Sequence, residues 1–415
     1  MLKPKLRLAG LCAGLIFPLG VLADTAPKPL QQLIQQLWQQ SPEVAAAQAA
    51  IAAARSQANA AGQPLYNPSL QLDAERGDLS SASIGLSQTL DWHNKRAARQ
   101  RMARDQITVQ RNQLHQIKTQ LASEALLALS DYQTAQQLTA LAEQRSQLMQ
   151  RFSASVQQRY RAGDMRLLET ALAKLAYNEA LMQQASQTAE LSDKQSNLLA
   201  VMGDEQQWPQ LPVPEQPTAE KFDQQTLLEN LPELQLQRAQ LLLAKNRVIQ
   251  AQQERQADPT LGISGGGDRN ESRIGLSLEI PLLIRNDFSA EVKAAQQAAT
   301  QAEQLYFARQ RRLHAQLKGA LKRLHTMQSA WQQWTENGQP AHHEQKKWLD
   351  QLWQANELSA SDYLIQAKQS VDTQIAAASL KGDLQRAYLL WLSASGQVAD
   401  WLDIKAQNSN SGDQP

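Results

Sequence analysis

The sequence holds a single cysteine, and it falls at position 12. Residues 13–415 therefore have no thiol for a disulfide, a thiolate metal site or a nucleophile. Aromatic residues make up only 5% of the chain, while Ala, Gln and Leu dominate. That is the composition of long helices and coiled coils, not of a compact enzyme core. Lys and Arg number 41 against 40 Asp and Glu, so the basic excess that nucleic-acid binding requires is missing. Beyond residue 23 no stretch is apolar for roughly 18 residues, which argues against a membrane-spanning helix in the mature chain. No catalytic constellation is legible: no nucleophile has a histidine partner in a recognisable motif, and no phosphate-binding glycine loop follows a strand. Gly265–Asn270 reads as a hairpin turn. Six histidines are present, with no HxxxH spacing. His342 and His343 are adjacent and would point about 100° apart on a helix, so a solvated helix face is favoured over a metal pair. The expectation is a non-enzyme with no cofactor and no metal site.

The start reads as an export signal. Lys3, Lys5 and Arg7 precede an apolar stretch from Leu8 to Leu22, and Val21-Leu22-Ala23 offers small residues for cleavage after Ala23. Pro18 and Gly20 make a membrane anchor a poorer reading. Leu11 precedes Cys12 where lipoprotein processing would need a small residue. An exported chain without a spanning helix is periplasmic, secreted, or inserted in the outer membrane as a barrel.

The rest of the chain is a tandem repeat. Ile84–Ser87, IGLS, recurs identically as Ile274–Ser277, an offset of 190. Ser41–Val44 matches Leu231–Leu234, and Asn67–Leu72 matches Asp258–Ile263. Gly163 and Glu169 match Asn356 and Asp362 with the same spacing. The organisation expected is a signal peptide (1–23), repeat 1 (24–205), a Pro-rich connector (206–225), repeat 2 (226–402) and a disordered polar tail (403–415).

Each copy reads helix, β-hairpin, very long helix, turn, long helix. In copy one the first helix covers about Leu30–Ala61, and the long one runs from about Lys95 to Tyr160, roughly 100 Å. Its apolar positions follow 3/4 spacing through Leu114, Ile117, Leu121 and Ala125, a narrow coiled-coil seam. The hairpins, about 69–90 and 260–282, alternate strictly. Leu70, Leu72, Ile84 and Leu86, then Leu261, Ile263, Ile274, Leu276, Leu278, Ile280 and Leu282, share one face. A half-buried soluble sheet has the same alternation. The flanking helices, however, are too long and polar to cover one. One chain yields four strands, and a closed barrel needs about eight or more. Three chains would give twelve; the count also permits a dimer.

This pattern resembles the TolC family of outer-membrane efflux proteins over about Leu30 to Leu402, and most closely its heavy-metal branch of CzcC-like and CusC-like proteins. Ile280–Asp287, IPLLIRND, is similar to the family's Pro-x-x-x-Arg-Asn stretch, and Gln339-Pro340-Ala341 to a proline seen in the metal branch. Arg161–Glu169 resembles the helical tip, with Gly163 as its turn residue; Asn356 stands at the matching place and also tolerates a left-handed turn. The resemblance implies a mainly α fold with a small membrane β-barrel: a homotrimer with a twelve-stranded barrel in outer-membrane lipid and a periplasmic α-helical tunnel. It also implies docking to a periplasmic adaptor (membrane fusion) protein and an RND-type inner-membrane pump. The function expected is passive conduction of heavy-metal cations out of the periplasm. A duct for drugs or organic solutes is the runner-up, and a periplasmic coiled-coil adaptor or structural protein is the rival of another class.

The resemblance places an acidic pore-constricting residue at Asp362, six residues past Asn356, with Glu169 as its lower-ranked counterpart on the outer hairpin. The family's second acidic position is Ile365 here. The alternative for Asp362 is a plain helix-terminal carboxylate. Tyr66 and Trp92 flank the first hairpin and fit either interface anchors or packing at the barrel–helix junction. Pro340 predicts a bend near Gly338–Pro340, while the copy-one counterpart, 145–147, stays straight.

Overall fold

The computed structural model describes residues 25–76, 81–203, 208–214, 224–268, 271–355 and 357–404. The expected signal peptide, nearly all of the tail, part of the connector, both hairpin tips and Asn356 lie outside the described residues. The chain begins with α1 (Lys28–Gln40) and α2 (Pro42–Ala61), then β1 (Ser69–Glu75) and β2 (Ser81–Thr89). The long α3 (Lys95–Ala162) and α4 (Leu167–Met202) follow, then α5 (Gln224–Asn230), α6 (Pro232–Glu254), β3 (Thr260–Gly267) and β4 (Ser272–Glu279). The chain closes with α7 (Ser289–Gln333), α8 (Gln339–Gln354), α9 (Ala360–Ser395) and α10 (Val398–Trp401).

Two expected boundaries are corrected. The single helix over Leu30–Ala61 is broken at Ser41, because the residue before Pro42 is driven to extended backbone (ψ 124°). Pro42 then opens α2, and Ser41 Oγ caps it by accepting from the Val44 N–H at 3.3 Å. The second hairpin ends at Glu279, short of Ile280 and Leu282, because Pro281 has no N–H to give a ladder. The disturbance expected around Pro340 takes the form of a π turn at Trp334–Gly338. Widening the helix there accommodates a residue that cannot donate and whose ring crowds the preceding turn. The copy-one counterpart, 145–147, lies inside the uninterrupted 68-residue α3.

α3 is the spine, about 100 Å long. Near the sheet it packs on α2 and α6, and α6 packs on α7; farther away it packs on α4 and α9, and α9 on α8. The helices of the protomer thus pack side by side in a row. Its lateral edges are α2 and α7 in one half and α4 and α8 in the other. The main apolar core sits at mid-height, where Leu126 and Leu129 of α3 meet Leu30 and Ile34 of α1, Leu384 and Leu392 of α9, and Leu324 of α7. The connector's Trp208–Pro214 lies across it. Gln133 donates to the Pro209 carbonyl (2.8 Å) and accepts from the Leu211 N–H (3.1 Å), and Gln385 donates to the Leu211 carbonyl (3.1 Å). No helix among the described residues is long and apolar enough to cross a membrane.

Candidate functional site

The four strands form one antiparallel sheet in the order β1-β2-β3-β4, so β1 and β4 are open edges within a single chain. The register gathers the large apolar residues on one face. Leu70 opposes Leu86, Leu86 opposes Ile263, and Ile263 opposes Leu276; one row on, Leu72 opposes Ile84 and Gly265 opposes Ile274. These side chains stand uncovered, with Ile274 and Leu276 each 85% exposed. A soluble sheet buries such a face, and a continuous exposed apolar band marks an interaction surface.

The opposite face carries small and polar residues: Gln71, Gly85, Ser264 and Gly275 in one row, and Asp73, Ser83, Gly266 and Arg273 in the next. Two glycines on this face sit at close approaches. A Cβ on Gly266 would lie 2.5 Å from the Ala82 carbonyl oxygen, and one on Gly275 would lie 2.8 Å from Ser264 Oγ. Mid-sheet on the apolar face, a Cβ on Gly265 would meet nothing within 4 Å. At these positions the polar face is the more crowded one, as the inner wall of a barrel must be.

Where the strands hand over to the helices, three residues of the first repeat converge on Asp258 of the second, whose side chain is only 2% exposed. Tyr66 donates its hydroxyl to Oδ2 (2.8 Å), Lys95 Nζ lies 3.0 Å from the same oxygen, and His93 Nδ1 lies 3.4 Å from Oδ1. Lys95 also donates to the Gln256 carbonyl at 2.6 Å. Burial pushes the Asp258 carboxyl up, but the hydrogen bonds from Lys95, Tyr66 and His93 outweigh it and hold the group below its ordinary value. Burial, with the carboxylate beside it, pushes the Tyr66 phenol up to about 12. Of its two expected placements Tyr66 thus takes the junction, whereas Trp92 stands 69% exposed. Asp91 caps α3 beside it, accepting from the backbone N–H of Lys95 (2.7 Å) and Arg96 (3.0 Å).

At the far end, α3 closes in a turn around Gly163, whose φ of +87° is left-handed. The Gly163 N–H donates to the Tyr160 carbonyl and the Asp164 N–H to the Arg159 carbonyl, the paired bonds of a Schellman ending. The copy-two helix shows the matching longer bond, Glu357 N–H to the Leu352 carbonyl at 2.9 Å. Gly163→Ala should destabilise the tip by about 1–2 kcal/mol, because a Cβ is strained in this conformation. Gly163→Asn should cost little. Thermal unfolding of the two variants side by side checks this.

Both acidic candidates sit in first helical turns. Glu169 accepts from the Arg166 N–H (2.9 Å). Asp362 accepts from Ser359 Oγ (2.7 Å), while its own N–H donates back to that oxygen (3.1 Å). Asp362 is exposed and capping, two roles that are compatible. His342 is bonded through Nε2 to Ser370 Oγ of α9 at 2.9 Å. The sequence reading missed what ties the two helical hairpins together. Phe152 of α3 stacks on Tyr363 of α9, and Tyr363 on Trp353 of α8, with centroids 5.3 and 4.5 Å apart. The Arg159 guanidinium lies 4.3 Å from the Trp353 ring centre. Arg145–Asp372 and Lys368–Glu179 ion pairs, both at 2.8 Å, bridge α3 to α9 and α9 to α4 higher up.

Residues 33–204 match the family of outer membrane efflux proteins. No curated protein sequence matches the chain. Solved structures share its fold almost end to end. A membrane protein from Pseudomonas aeruginosa is 16% identical with a TM-score of 0.73, over 90% of this chain and 95% of that one. CusC, described as forming a transmembrane channel, is 16% identical at 0.72, over 95% and 99%. The outer membrane protein VceC from Vibrio cholerae is 15% identical at 0.71, over 88% and 96%. At these identities the likeness carries the fold, and it does not single out CusC among channels.

Proposed function

We propose that this chain is the outer-membrane duct of a tripartite efflux system. Three copies close a twelve-stranded barrel above a helical tunnel, through which substrates pass passively from the periplasm or an inner-membrane pump to the outside. One observation carries the reading: a four-stranded sheet that is apolar and exposed on one face, small and polar on the other, and open at both edges. Pairing β4 of one chain with β1 of the next removes both edges at once. The helices offer a matching seam. Leu168, Leu172, Leu175 and Met182 form an exposed apolar stripe on the edge helix α4, and Trp348 is exposed on the opposite edge helix α8. A periplasmic adaptor or coiled-coil structural protein has no use for such a sheet. Purified protein in detergent should migrate as a heat-resistant trimer and conduct ions in planar bilayers. A monomer without conductance refutes the duct.

Heavy-metal cations are the proposed cargo, supported by the Pro340 likeness to the metal branch. The smooth Gly/Ser wall suits organic solutes equally well, and that is the second reading. Loss of the gene in its host should sensitise cells to metal salts under the first and to dyes or antibiotics under the second. The adaptor and the RND-type pump belong to the same proposal.

Asp362 is proposed as the tip's constriction, a ring of three exposed carboxylates, with Glu169 in a lesser role on the outer hairpin. Such a ring attracts cations and is blocked by multivalent ones. Asp362→Ala should raise basal conductance and weaken multivalent-cation block several-fold, with Glu169→Ala nearly silent. Unchanged block in Asp362→Ala reduces this aspartate to its cap.

A further inference from the structure

The two repeats differ where strand passes into helix. Five residues, 90–94, join β2 to α3, whereas nine, 280–288, join β4 to α7. The extra length contains Pro281-Leu282-Leu283-Ile284. Leu282 is 76% and Ile284 82% exposed, as open as the mid-sheet residues, although neither belongs to a strand. The polar end of the segment is pinned. Asp287 pairs with Arg255 at the end of α6 (2.9 Å) and accepts from the Ser289 N–H (3.1 Å), and Asn286 accepts from the Phe288 N–H (3.0 Å). The apolar end is thus held outward, with no neighbouring element among the described residues to cover it.

The height of the apolar band gives this segment a purpose. On β4 the outward residues run from Ile274 to Leu278, and Ile280 continues the row. The six residue steps from Ile274 to Ile280 cover roughly 20 Å, or about 15 Å of height at a barrel's usual tilt of about 40°. The lipid-facing band of an outer-membrane barrel is about 25 Å tall. The strands alone fall short of this height, and next to them on the side of the helices stand Leu282, Ile284 and the exposed Trp92. Arg285, also exposed, comes next in the chain.

We propose that Leu282 and Ile284 form a hydrophobic collar sunk in the periplasmic leaflet of the outer membrane, with Arg285 at the phospholipid phosphates. The collar completes a membrane belt that the strands leave too short. It rests on the barrel reading above and adds a lipid contact outside the strands, built into copy two alone. A guanidinium suits the role because it stays charged and binds phosphate oxygens in pairs.

The test places a nitroxide on Leu282→Cys or Ile284→Cys in a Cys12→Ser background. Trimers are reconstituted in vesicles of phosphatidylethanolamine and phosphatidylglycerol. Leu276→Cys serves as the mid-band reference and Gln301→Cys on α7 as the water reference. Labels at 282 and 284 should collide with oxygen several-fold more than with a water-soluble nickel chelate, as the label at 276 does. Arg285→Glu should shift the 284 label toward water. Nickel access equal to that at 301 overturns the collar, and so does shielding from both reagents, which would mean a contact between chains. A label at 276 that sits in water overturns the barrel itself, and the collar with it.

Discussion

Leu276→Arg will abolish the heat-resistant trimer. Leu276 stands 85% exposed at the centre of the apolar face, opposite Ile263. An arginine at the middle of a bilayer costs about 2–4 kcal/mol. Three copies multiply this to roughly 6–12 kcal/mol per trimer, comparable with the whole net stability of a typical fold, about 5–15 kcal/mol. Ile84→Arg should act alike, because Ile84 lies in the next row of the same face. Gln71→Arg places the same charge on the polar face and should assemble normally. Migration of outer-membrane extracts with and without boiling reads all three variants. Full heat-stable assembly of Leu276→Arg would remove the lipid from this face.

Asp258→Ala should be the most damaging substitution outside the sheet. It strands the Lys95 ammonium, 10% exposed, beside Tyr66 and His93. Removing one partner of a buried pair costs about 3–5 kcal/mol, since the remaining charge is left uncompensated. Lys95→Met alone should cost a similar amount. The double variant should cost less than the sum, because neither charge is then left alone. Denaturant unfolding of detergent-solubilised protein measures the cycle, and strict additivity would dissolve the pairing. The acid side has a definite sign. The folded Asp258 carboxyl lies below its ordinary value of 3.8, so its contribution is fully present above that pH and is lost as pH falls through the folded value. Tyr66 works at the other end. Its phenol, raised from 10 to about 12, contributes stability that is intact below pH 10 and lost as pH rises toward 12. The Asp258→Asn variant should show a flatter acid limb than the parent chain.

The sheet was legible because period-two alternation leaves little freedom. Once Leu70, Leu72, Ile84 and Leu86 share a face, their partners in β3 and β4 follow. The long helices were legible from 3/4 spacing and from breakers at Gly62 and Gly163. Local chemistry also held the two boundaries that were misplaced. Pro42 and Pro281 stood in plain view but were outweighed by apolar periodicity running through them. The junction and the tip staple were beyond reach for another reason. Tyr66 and Asp258 are 192 residues apart, and Arg159 and Trp353 are 194. No local pattern distinguishes a lysine that will be buried from one that caps a helix in water. Asp362 is proposed from its six-residue spacing past the turn together with the resemblance, and its Ser359 partner was in the sequence as an S-x-x-D box.

The open edges of the sheet have a genetic consequence. In the proposed trimer, a wall that closes only when three chains meet cannot average over its members, since one faulty strand edge or one charged face spoils the seam for its two neighbours. In a cell that makes normal and Leu276→Arg chains in equal amounts, random assembly leaves only about one ring in eight free of the defect. The allele should therefore behave as dominant, depleting export far below half. Its severity should depend on the ratio of the two transcripts rather than on the amount of normal protein made.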